Sequence, residues 1–162
     1  MTDYCVISAE LARAHIYTLE SSEIPEAETS PYLLERKTLV NPQRKADESD
    51  LWTDTRRGAQ REHQGGKLAG QTSGIPHHNY DEHQENNERM TNQAFARDVV
   101  ADLRAVIDQH KARRLIVCAE KQMLGVLRPE LEALPQEKLK ITEVAKDLTG
   151  LTAHELHRKL AN

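Results

Sequence analysis

Arg114-Leu115-Ile116-Val117-Cys118-Ala119 is a continuous apolar run that begins on a cation and stops before Glu120. Six residues is strand length, and an unbroken apolar run suits a strand covered on both faces, in a parallel sheet. Upstream of it, Phe95, Ala96, Val99, Leu103, Val106 and Ile107 recur at three- and four-residue steps, which is one face of a helix. Downstream, Met123, Leu124, Val126 and Leu127 read as a second helix, which Pro129 is expected to kink or restart. Leu131 and Leu134 continue its apolar face, and Leu139, Ile141 and Val144 form another strand. Thr152 with Glu155 three residues on makes a capping box, opening a last helix through Leu156 and Leu160.

The first forty residues carry three more strands. Tyr4-Cys5-Val6-Ile7-Ser8-Ala9 is short and apolar, and Glu10-Leu11-Ala12 reads as a turn. From Arg13 to Leu19 the pattern alternates, with Ala14, Ile16 and Thr18 on one face and Arg13, His15, Tyr17 and Leu19 on the other. Tyr32 to Val40 alternates likewise, setting Leu33, Glu35, Lys37 and Leu39 against Leu34, Arg36, Thr38 and Val40. Short links favour an antiparallel meander, and the later strands join it in parallel through right-handed crossovers. The fold class is therefore mixed α/β, in the order β-β-β, loop, α-β-α-β-α, with helices packed on one mixed sheet. That succession is similar to ribonuclease-H-like domains.

Residues 41–89 interrupt this order. Their apolar side chains are Ala46, Leu51, Trp52, Ala59, Leu68, Ala69, Ile75 and Tyr80, and five of the chain's seven glycines lie between Gly58 and Gly74. So polar a stretch cannot bury enough apolar area to offset its ordering entropy, and it reads as a long glycine-rich insertion of a single domain.

Composition sets outer bounds. The chain has 162 residues, 38% hydrophobic, 30% charged and 4% aromatic, with net charge −4. One domain with one core is expected. The acidic balance argues against broad non-specific binding to nucleic acid or anionic membrane, while leaving room for a local basic patch. No apolar run approaches the ~20 residues of a membrane span, and Met1-Thr2-Asp3-Tyr4 lacks the build of a secretory signal. A cytoplasmic location follows as the expectation, with no membrane partner. Cys5 and Cys118 sit in apolar stretches without Cys-x-x-Cys spacing and are expected to be buried thiols in a reducing compartment.

Four chemistries have candidate residues. Two-metal hydrolysis needs converging carboxylates. Asp3, Glu120 and Asp147 flank strands, and Glu120 and Asp147 are expected at one sheet edge, but the first strand has no acid in its middle. His77, His78 and His83, with Asp81 and Glu82, have metal-binding side chains without the His-Glu-x-x-His spacing. Ser8 is not in a Gly-x-Ser-x-Gly elbow, Cys118 lies in a buried run, and His15 reads as a packed or surface residue. The fourth candidate is basic and flexible in composition: Gly65-Gly66-Lys67 and Gly70, with Arg56, Arg57 and Arg61 around them and Glu62 opposing. Glycines let a backbone approach a ligand closely, and cations attract phosphate. No cofactor is implied.

The chain resembles the bacterial family of proteins required for attachment to host cells. The likeness lies in Val6-Ile7-Ser8-Ala9 with Ala12-Arg13-Ala14-His15-Ile16-Tyr17, in Asp50-Leu51-Trp52-Thr53-Asp54-Thr55-Arg56-Arg57-Gly58, and in Phe95-Ala96-Arg97. It continues through Leu115-Ile116-Val117-Cys118-Ala119, Met123-Leu124-Gly125-Val126-Leu127-Arg128, Lys146-Asp147-Leu148-Thr149 and His154-Glu155-Leu156. That family is in turn similar to the middle domain of archaeal and eukaryotic release factors, whose glycine-rich loop ends in Gly-Gly-Gln. Gly65-Gly66-Lys67 is the nearest counterpart here, with lysine where the amide would stand. The resemblance implies a non-enzymatic binding protein. Its contact surface would be the 56–71 loop with Asp50 and Asp54, and its partner the ribosome, RNA or another protein. A translation-linked factor and a metal-dependent hydrolase are the alternatives.

Overall fold

The computed structural model describes residues 3–21, 31–44 and 78–162. Strands β1 (Tyr4–Ala9), β2 (Arg13–Glu20), β3 (Tyr32–Val40), β4 (Arg114–Ala119) and β5 (Lys140–Val144) form one sheet in the order β3-β2-β1-β4-β5. β1, β2 and β3 are a meander of antiparallel neighbours, whereas β4 pairs parallel to β1 and β5 parallel to β4. Residues 42–44 are helical (α1), followed among the described residues by α2 (His78–His110), α3 (Lys121–Leu131) and α4 (Ala153–Ala161). None of the described helices is long and apolar enough to cross a membrane.

β1 and β4 lie inside the sheet, and their apolar runs are the two-faced cover that position demands. On one face Cys5, Ile7, Ala14, Ile16, Leu115 and Val117 pack against Phe95, Val99, Leu103 and Val106 of α2 and Met123, Leu124 and Leu127 of α3. On the other, Val6, Tyr17, Leu33 and Cys118 meet Leu148 and the α4 residue Leu156. Each fully buried aliphatic side chain contributes about 1.5–3 kcal/mol relative to exposure, so two covered faces hold the sheet from both sides.

Helix α2 starts at His78, so it takes in the last twelve residues, 78–89, of the expected polar insertion. Residues 82–90 are exposed all round, so no apolar stripe marks them; the stripe begins at Asn92 and Phe95. The packed part nucleates the helix, and propagation into a stretch holding Glu82, Gln84, Glu85, Glu88 and Arg89 is then cheap. At the other end Lys111 takes φ 53, and the Ala112 N–H reaches the Ile107 carbonyl at 3.2 Å. This is a Schellman stop in which lysine stands where glycine is usual.

Pro129 does not restart α3; it lies inside it, two residues before the end. There its missing N–H removes a single late hydrogen bond. Strict alternation along β3 also fails. The register shifts between Ile16 and Tyr17, which pair with Lys37 and Glu35, so Arg36 is the extra residue of a bulge. Lys37 therefore shares the face of Ile16, while Thr38, opposite His15, joins Glu35 on the other.

Candidate functional site

The site residues expected from sequence, Arg56, Arg57, Arg61, Gly65, Gly66, Lys67, Asp50 and Asp54, lie outside the described residues, as does His77. So do Leu51 and Trp52. The chain on either side of them is anchored at one corner of the body. Asn41, nearly fully buried, donates from its backbone to the Ala12 carbonyl at 2.8 Å and from Nδ2 to the Leu11 carbonyl at 3.0 Å. Its Oδ1 accepts from the Gln43 N–H at 3.3 Å, so it caps α1. Thr91 Oγ1 then donates to Gln43 Oε1 at 2.5 Å, tying α1 to α2.

His78 falls in the first turn of α2, and His83 is exposed one turn later. Among the described residues no group of three His, Cys, Asp or Glu is placed to hold a metal ion. The parallel pairs Ala9–Ala119 and Cys118–Val144 do bring the ends of β1, β4 and β5 to one edge, where Glu120 and Asp147 follow. Asp3 lies at the opposite edge, its carbonyl accepting from the Arg113 and Arg114 amides. Asp147 Oδ1 is engaged by the Thr149 N–H at 3.0 Å and Oγ1 at 2.6 Å, a local turn bond.

The bulge in β3 assembles a polar row that the residue pattern alone did not show. His15 Nδ1 lies 2.6 Å from Glu35 Oε1 and 3.3 Å from Thr38 Oγ1, and the Thr38 hydroxyl donates to the same Glu35 oxygen. Glu35 accepting from both fixes the histidine proton on Nδ1 and leaves Nε2 without a protein partner in this cluster. The Thr38 hydrogen bond, and then the His15 contact, hold the Glu35 carboxyl below the usual range. Tyr17 stacks on His15 with ring centroids 6.3 Å apart. Burial, and then the Glu35 charge, push its phenol up to about 12.

Ser8 is the cross-strand neighbour of His15 on one side and of Cys118 on the other. It is fully buried, and its Oγ has no hydrogen-bond partner. A serine, a histidine and a carboxylate thus share one sheet face, yet the serine–histidine bond that would activate a nucleophile is not made. Burial also holds both free thiols in the protonated form, Cys5 near 12 and Cys118 near 11. The sequence signal for Ser8 and His15 was strand alternation. Glu35 and Thr38 were beyond it, because the β2–β3 register depends on a bulge.

The chain belongs to the family described as "Protein required for attachment to host cells", whose model matches residues 5–160. No curated protein matches the chain.

Proposed function

We propose that this host-attachment-family protein works by binding rather than by turnover, and that its contact is the stretch bearing Arg56, Arg57, Arg61, Gly65, Gly66 and Lys67, with Asp50 and Asp54 beside it. The observation that carries this reading is the closure of the sheet's own nucleophiles: Cys5, Ser8 and Cys118 are each 0% exposed, and the thiols are held protonated. Chemistry on any of them would require opening the core, whereas binding through cationic side chains elsewhere in the chain needs no such opening. The stretch from Arg56 to Lys67 sets four cations against Glu62. Cations among glycines suit a phosphate-bearing partner, the ribosome or RNA, and this favours the release-factor-like, translation-linked form of the reading. Free buried cysteines fit a reducing, cytoplasmic setting.

The test is restoration of attachment in cells lacking the protein. Wild type is expected to restore it, and the folded triple variant Arg56→Ala, Arg57→Ala, Lys67→Ala is expected not to. Full restoration by the triple variant would overturn the assignment of the contact.

A further inference from the structure

A groove of about 560 Å³ runs between α2 and α3, within the size range of small-molecule sites. Asn92 lines it while being only 6% exposed, and its Oδ1 is buried without a hydrogen-bond partner. An acceptor left so is costly, and the missing partner must bring an N–H or O–H. The surrounding charges agree in sign. Arg97 and Glu130 satisfy each other across the groove at 3.3 Å. That leaves Glu85 and Glu88 with Arg89 as the remaining charged groups of the lining, an excess of one negative charge. Val126 and Pro129 add an apolar strip to the same wall. Gly125, one residue before Val126, lines the groove too, and a Cβ built on it would meet no atom within 4 Å, so the groove is open there.

We infer that this groove binds a small organic amine: an alkyl chain carrying several N–H donors and positive charge, of the polyamine class. Ammonium groups pair with Glu85 and Glu88, one N–H reaches Asn92 Oδ1, and the methylenes lie along Val126 and Pro129. None of these residues belongs to the basic stretch proposed as the partner contact, so either reading can fail without the other.

Calorimetric titration of the whole protein with spermidine at low salt tests it. Saturable one-to-one binding is expected in the wild type. Gly125→Leu puts a side chain into open groove and exchanges a poor helix former for a good one, so it should keep the melting temperature and weaken binding at least tenfold. Asn92→Asp, which adds an anion at the same place, should tighten binding. Heat without saturation in the wild type, or equal affinity in Gly125→Leu, would overturn the inference. So would weaker binding in a folded Asn92→Asp.

Discussion

Glu35 holds His15 and Thr38 on one carboxylate oxygen, and this gives it an acid-sensitive role. Its folded pKa lies below the ordinary value of 4.5. The stability it contributes is therefore present above that value and is lost as pH falls through the lower, folded one. Its side chain is 43% exposed, so solvent screens the effect. Glu35→Gln should give a melting temperature that falls less steeply with acid below about pH 4.5 than the wild type's. Parallel wild-type and variant curves there would contradict the assignment. Ser8 makes the opposite case, a buried hydroxyl with nothing to bond. Ser8→Ala should stabilise the protein by about 1 kcal/mol in urea denaturation, since an unpaired buried polar group is removed with almost no volume lost. A loss of stability would mean that the hydroxyl has a partner in solution. At this scale the sequence was a good guide to what is buried, Cys118 included. It was a poor guide to what touches what, because His15 meets residues twenty and more positions away.

Among the elements, α4 depends most visibly on its cap. Thr152 Oγ1 accepts from the Glu155 N–H, and the Glu155 carboxylate accepts in return from the Thr152 N–H at 2.9 Å. Thr152→Ala should cost about 1 kcal/mol. It should also raise amide exchange across α4 more than elsewhere, because Leu156 is the helix's buried residue on the second face. Uniform exchange over the molecule would argue against a local role. This cap was legible because it is written in two residues three apart. The start of α2 was not, since a helix standing in solvent carries no apolar period. The β3 bulge was hidden for a related reason: Glu35-Arg36-Lys37 is polar on both sides, and nothing in its pattern records which neighbour is the extra one. The same charged, bulged middle of an edge strand discourages pairing with another chain.

At the scale of the whole molecule, the mixed sheet followed from a meander joined to alternating α and β, and the strand order bears it out. The family match runs from residue 5 to 160, and so takes in all or part of every strand of that sheet. The proposed contact lies between α1 and α2, in residues whose reading rests on composition: cations, glycines and little apolar area. Composition speaks to charge and says nothing of shape, so the decisive measurement is electrostatic. Wild type and the triple variant Arg56→Ala, Arg57→Ala, Lys67→Ala are sedimented with ribosomes across roughly 50 to 200 mM salt. The prediction is wild-type binding that falls steeply with salt, and a logarithmic slope smaller by about 3 in the variant, about one for each cation removed. No co-sedimentation at the lowest salt, or the same slope for both proteins, would contradict it.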